Sequence, residues 1–259
     1  MLWLSEFSYF FCPSRIRLSN ARHAGSTRCL PRLRETCPGY DRKGETKPAN
    51  AYLERPATLS LLPNVQGDRI LDAGCGAGHL TTELTDSGAT VVGVDVSHTM
   101  LTYARPRVPT GEFIQADLGS TLPFPDNSFD GIASSLAFHY VRDWNSLLRD
   151  LRRILSTDGW VVFSVQHPHA DFEEYDDSVN YHETEQVTAT WESFGMAVDV
   201  PAYRRPLSAM IEPALDAGFQ LDELLEPTPT EAYREADPVS YEYEATHPNF
   251  LCVRLLISI

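Results

Sequence analysis

The sequence predicts an open, mostly parallel α/β sheet flanked by helices, and three observations carry that reading. Apolar runs of strand length alternate with stripes of helical period from about residue 69 onward. The first run, Arg69-Ile70-Leu71-Asp72-Ala73, meets a turn with glycine at 74, 76 and 78 and passes into a helix with apolar Leu80 and Leu84. The runs Thr90–Asp95 and Phe113–Asp117 each end in an acid. Polar groups therefore gather at one sheet edge, where an open α/β fold holds its ligand.

Taken in order, residues 1–39 read poorly as structure. Their apolar stretch precedes the basic residues, the inverse of a secretory signal. They read as a disordered tail or as translated sequence upstream of the true start; the Arg- and Ser-containing part also has the composition of a mitochondrial transit peptide. Residues 40–63 form a cap, with one short helix around Lys47–Ala57 and another over Thr58–Leu62; Tyr52 and Arg55, three apart, can share a face. After the second strand Ser97 caps a helix that buries Met100, Leu101 and Ala104. Phe129–Leu136 is the fourth strand. Asp143 caps the helix striped by Leu147, Leu148, Leu151, Ile154 and Leu155, and Ser156–Gly159 is a turn. Trp160–Val165 is the fifth strand.

Residues 167–205 show no sustained period and are too long for an ordinary connection, so they read as a partly ordered substrate cover. A helix from Pro206 to Gly218 carries Pro213 as a kink or a delayed start. Phe219–Leu225 and Phe250–Ile257 close the chain as an antiparallel pair joined by a polar loop. Residues 40–259 thus read as one domain of 259 residues' total chain, enough to bury a full core.

Charge narrows the function. The net charge is -15, and residues 1–47 hold nine Lys/Arg against four acids, including both lysines of the protein. The body is acidic, which disfavours nucleic acid as a partner and suggests a halophilic, cytoplasmic origin. No apolar run approaches the ~20 residues that span a bilayer, so no stable membrane insertion is expected. Five cysteines without a Cys-x-x-Cys pair point to a reducing compartment and to no zinc site. His167 and His169 lack the supporting ligands a metal would need, so none is assigned.

The glycine spacing identifies the ligand class. A dinucleotide fingerprint is Gly-x-Gly-x-x-Gly facing a pyrophosphate, whereas this chain has Gly74-x-Gly76-x-Gly78 with Asp72 just before it. That carboxylate would repel a pyrophosphate and welcome a cation. Leu71-Asp72-Ala73-Gly74-Cys75-Gly76-Ala77-Gly78 resembles the first motif of the class I S-adenosylmethionine-dependent methyltransferases, and the resemblance runs from about Tyr52 to the C-terminus. It is nearest to the small-molecule methyltransferases that include the quinone-biosynthesis enzymes.

The resemblance implies a Rossmann-like sheet of seven strands in the order 3-2-1-4-5-7-6, with strand 7 antiparallel. It implies S-adenosyl-L-methionine as cofactor, with Asp72 and Gly74 at the methionine end, Asp95 at the ribose, Asp117 with Leu118 at the adenine, and Gly76 and Gly78 also against it. Val96, Met100 and Ser134 complete the set, and Tyr52 and Arg55 reach it from the cap. His139 and Tyr140, past the fourth strand, are the catalytic candidates, as base or substrate-orienting groups. The acceptor is a small metabolite, aromatic, quinone-like or amphipathic, for a monomer or homodimer. His167, His169, Tyr175, Tyr181, His182 and Trp191 are candidates to line its pocket. A non-catalytic S-adenosylmethionine-binding protein and a nucleotide-dependent oxidoreductase are the competing functions.

Overall fold

A computed structural model describes residues 47–174, 180–191 and 198–258. Its main sheet has seven strands, β1 (Arg69–Ala73), β2 (Thr90–Asp95), β3 (Glu112–Gln115), β4 (Phe129–Ser135), β5 (Leu155–Gln166), β8 (Phe219–Leu225) and β9 (Phe250–Ile257). Their order is β3-β2-β1-β4-β5-β9-β8. The first five pair in parallel, and β9 runs antiparallel between β5 and β8. This is the Rossmann-like order expected from the resemblance.

Alternation along the strands makes two cores. Leu71, Val92 and Ile132 face α4 (Trp144–Ile154) and α6 (Ser208–Asp216), contributing to one cluster with Leu147, Leu151 and Met210. Their neighbours Ile70, Val91 and Ala133 point the other way. There they meet Ala57 and Leu61 around α1 (Arg55–Ser60), and Leu80 and Leu84 of α2 (His79–Asp86). Strands buried on both faces read as continuous apolar runs, which is why they were legible. A third cluster seats α3 (His98–Arg107) on β3 through Leu101, Ala104 and Phe113.

Four local expectations need correction. Residues 156–159 are not a free turn, because Leu155 already pairs with Phe129 and the next partners are Gly131 and Trp160. The four residues are an irregularity within β5. The segment after β5 is more regular than its lack of period suggested: α5 (Pro168–Glu174) is followed by an antiparallel hairpin of β6 (Glu185–Trp191) and β7 (Val198–Arg204). The loop expected between β8 and β9 contains α7 (Glu231–Ala236) and α8 (Pro238–Glu244). Their start signals are ordinary: Thr230 accepts from the Tyr233 N–H, and Asp237 accepts from the Ser240 N–H with Pro238 at the first helical position. Finally, the short helix ahead of Thr58 opens as a π-helical turn, Asn50–Glu54, before α1. The expectations for residues 1–39 and for Tyr175 lie outside the described residues, as does the side chain of Trp191.

Candidate active site

The turn after β1 lies at the C-terminal edge of the sheet, and its geometry follows from its glycines. Gly74, Gly76 and Gly78 all have positive φ, at 85°, 52° and 86°. They are not equivalent. A Cβ on Gly74 would sit 2.3 Å from the Ala137 Cβ, and one on Gly78 would press on Ala104 at 3.2 Å. These two permit close protein packing. A Cβ on Gly76 would meet nothing within 4 Å, so that position opens on free space.

The space is a narrow cleft with a cavity volume of about 50 Å³. The glycine turn forms one wall, with Asp72 beneath it. Asn50 and Arg55 of the cap and Ser135 and Leu136 past β4 form the others. Leu136 has φ 51°, a left-handed backbone that costs a branched side chain energy and recurs at functional sites.

Two carboxylates organise the floor. Asp72 is 1% exposed and accepts from the Thr81 hydroxyl at 2.5 Å. Burial raises its pKa to about 7, the Thr81 bond opposing and the Asp95 charge adding. A buried acid poised there is costly when ionised and unpaired, and is suited to a cationic group. Asp95 uses both oxygens, accepting from the Gly76 N–H at 2.9 Å and the Ser97 N–H at 2.7 Å. It thereby pins the open glycine. Burial also raises its pKa, and those two bonds oppose the rise.

A family model described as a methyltransferase domain matches residues 71–163, from β1 into β5. An S-adenosylmethionine-dependent methyltransferase from Mesorhizobium loti is 30% identical with a TM-score of 0.64, over 78% of this chain and 97% of that one. The chain belongs to the S-adenosylmethionine-dependent methyltransferases. S-adenosyl-L-methionine is its cofactor. A demethylmenaquinone methyltransferase of Symbiobacterium thermophilum is 30% identical over 189 residues, 69% of this chain and 71% of that protein. An uncharacterized Haemophilus influenzae protein is 30% identical over 200 residues, 69% and 77% of the two chains. The chain spans little more than half the length of a malonyl-[acyl-carrier protein] O-methyltransferase of Pseudescherichia vulneris that it also matches, 55% of that protein at 31% identity.

Four of the twelve expected cofactor residues line this cleft. Asp72, Gly74, Gly76 and Arg55 line it. Leu118 packs within 3.7 Å of the position a Gly74 Cβ would take, Met100 packs with Ala77, and the Val96 carbonyl accepts from Gln115. Asp117 accepts from the Gly119 N–H at 2.8 Å, forming its own turn. Ser134 is fully buried and donates to the Ala73 carbonyl at 2.7 Å, so Ser135 lines the cleft in its place. The strand's alternation turns one serine into the sheet and the next out. The Tyr52 side chain is 36% exposed; its carbonyl accepts from Thr230, fastening the cap to α7. Asn50 and Leu136 also line the cleft and went unmarked in the sequence, and only Asn50 carried a polar signal.

The expected catalytic residues do not line this cleft; they lie where β7 packs on the sheet edge. His139 lies in the 3-10 turn Phe138–Tyr140, against which β7 packs. It is buried, its Nδ1 makes no hydrogen bond among the described residues, and its ring is 4.1 Å from that of Tyr140. Burial and the Arg205 charge lower its pKa to about 3. Burial therefore disfavours the charged imidazolium in the ligand-free chain. Arg205, next after β7, donates to the Val141 carbonyl at 2.6 Å and stacks on Trp144 at 4.5 Å. Arg204 pairs with Glu185 at 2.6 Å and lies over Phe172 of α5. Arg205 thus ties the end of the hairpin to the segment after β4, while Arg204 ties β7 to β6 and α5. Of the aromatic candidates, Tyr181 packs edge-on to Phe172 and accepts from the Leu207 N–H, while His182 is exposed. His167 accepts from the His169 N–H through Nδ1, leaving Nε2 to donate to Glu226 at 2.8 Å.

Proposed function

We propose that this enzyme methylates a small aromatic, quinone-like or amphipathic acceptor bound between the cofactor cleft and the 167–205 cover. The observation that carries the proposal is the open face of Gly76 beside a buried, incompletely compensated Asp72. That pairing suits an adenosylated cation and gives a pyrophosphate no place. Asp72 faces the ammonium of the methionine end and Arg55 its carboxylate. Asp95 receives the ribose hydroxyls through its remaining lone pairs, and Asp117 with Leu118 holds the adenine. The glycine turn supplies backbone at contact distance, with Val96 and Met100 flanking.

The bound cofactor supplies a methyl group on a positively charged sulfur. The chain's own part is to align a nucleophile with that methyl, exclude water, and leave nothing nearby that competes for it. His139 and Tyr140 act here as orienting groups. His139, whose charged form burial disfavours, offers hydrogen bonds without charge, and Tyr140 beside it is 37% exposed. The cover excludes water while its acids, Glu173, Glu183 and Glu185 among them, disfavour a polyanionic acceptor. Among the described residues no helix is long and apolar enough to cross a membrane.

The acceptors in the names of the relatives, a demethylated menaquinone and a malonyl-[acyl-carrier protein], give the first two panels to test. Quinols, phenols and malonyl thioesters are offered to the purified chain, and S-adenosylhomocysteine release is followed. Release that depends on a quinol or phenol is expected; release only with malonyl-[acyl-carrier protein], or with no small molecule at all, would overturn the acceptor class.

A further inference from the structure

Glu54 has no part in the reading above, yet it is 1% exposed and surrounded by hydroxyls. Its Oε1 accepts from Thr58 at 2.8 Å, from Ser135 at 2.9 Å, and from Ser164 by a shorter bond. These donors come from three elements: α1, the end of β4 and the C-terminal end of β5. A buried carboxylate contributes little to stability by itself, because desolvation offsets much of what its hydrogen bonds return. Its presence here raises the question of what it joins.

On one side Glu54 ends the π-helical turn whose Asn50 lines the cleft, and precedes Arg55, which also lines it. On the other, Ser135 and Leu136 form the opposite lip. Ser164 completes the link: its hydroxyl donates to Glu54 and accepts from the Leu136 N–H at 3.1 Å, the same N–H that reaches the Ser164 carbonyl. Leu136 is held in its left-handed conformation by this serine, and the serine is oriented by Glu54. Ala137, the next residue, is the one that abuts Gly74. A single carboxylate oxygen therefore ties the cap, the strained lip and, through Ala137, the glycine turn.

We infer that Glu54 is a positioning residue for the cofactor, coupling the cap that carries Asn50 and Arg55 to the Ser135–Leu136 lip so that both close on the same ligand. The inference rests on the cofactor reading of this cleft. Without the link the cap still packs, since Leu53 and Tyr233 bury one another with Ala49 and Phe250. What it loses is its registration against the lip.

The test uses the full chain and S-adenosylhomocysteine as probe, with affinity by calorimetry and backbone protection by hydrogen exchange. In the wild type the ligand should protect the 47–60 segment and the 134–138 segment together. Glu54→Leu, which keeps bulk and removes the acceptor, should weaken binding about tenfold or more and uncouple the two segments, leaving the lip protected and the cap not. Glu54→Gln, which keeps an acceptor oxygen, should restore affinity to within about threefold. Should Glu54→Leu not fold, Ser164→Ala breaks the link from the lip side and should uncouple the segments likewise. If Glu54→Leu or Ser164→Ala lowers Tm while affinity stays within twofold and both segments remain protected, Glu54 is structural only and the inference falls. A wild-type chain that bound no S-adenosylhomocysteine would instead remove the cofactor reading and this inference with it.

Discussion

Replacing Asp72 by Asn should make the ligand-free enzyme more stable at alkaline pH and a poorer binder of S-adenosylmethionine. The carboxyl titrates near 3.8 ordinarily and at about 7 when folded, chiefly because it is buried. Between those values the folded chain holds a proton that the unfolded chain gives up. Stability therefore falls as pH rises from about 4 to 7, by about 4 kcal/mol at ~1.4 kcal/mol per pKa unit, and stays lowered above 7. Asn keeps an oxygen for the Thr81 hydroxyl but never ionises. Urea unfolding at pH 8 should show the ligand-free variant stabilised by up to about 4 kcal/mol, and at pH 5 most of that gain should be gone. Binding tells the complementary half. A cation placed against Asp72 favours the ionised form, so binding at pH 6 should release a proton, and affinity should climb with pH and level off above 7. The variant should bind without that proton release and about 10- to 150-fold more weakly, the worth of a charged hydrogen bond of about 1.5–3 kcal/mol. Calorimetry in buffers of different ionisation enthalpy reads the proton directly. A variant that was destabilised at pH 8, or that bound with wild-type affinity and the same proton release, would refute the assignment of Asp72 to a cationic group.

Two further predictions separate folding from binding. Gly74→Ala places a methyl 2.3 Å from the Ala137 Cβ in a left-handed backbone, so a stability loss of about 2–4 kcal/mol is expected in thermal unfolding. Gly76→Ala meets no protein atom, so it should cost only the left-handed backbone, about 1–2 kcal/mol, while the methyl obstructs the cofactor and calorimetry finds binding weakened by tenfold or more; equal binding losses in the two variants at equal stability would contradict the distinction. Asp95→Ala strips the Gly76 and Ser97 N–H groups of their acceptor, so both stability and S-adenosylmethionine affinity should fall, each by about 1–3 kcal/mol; unchanged affinity in a folded variant would remove Asp95 from the ribose.

The sheet was legible because its strands are buried on both faces. Thr90–Asp95 and Phe129–Ser135 stand out as apolar runs ending in polar groups, and Asp72 and Asp95 declare themselves at strand ends. The serines were harder. Ser134 and Ser135 are alike in sequence, and only the phase of β4's alternation decides that the second lines the cleft. The surroundings of His139 could not be read from its own position: it is buried, and Arg205, 66 residues away along the chain, arrives beside it just after β7. The hairpin itself was hard to see because β6 and β7 pair with each other instead of joining the main sheet. Glu54 could not have been found from pattern, since its partners at 58, 135 and 164 meet only in the folded chain.

The most direct test of the account is a crystal structure of this methyltransferase with S-adenosylhomocysteine bound. The ribose hydroxyls should lie within hydrogen-bond distance of Asp95, the ammonium should sit over Asp72, and the sulfur should face the space between Tyr140 and the 167–205 cover. A cofactor found elsewhere than beside Gly76, or a sulfur facing away from that cover, would contradict the account.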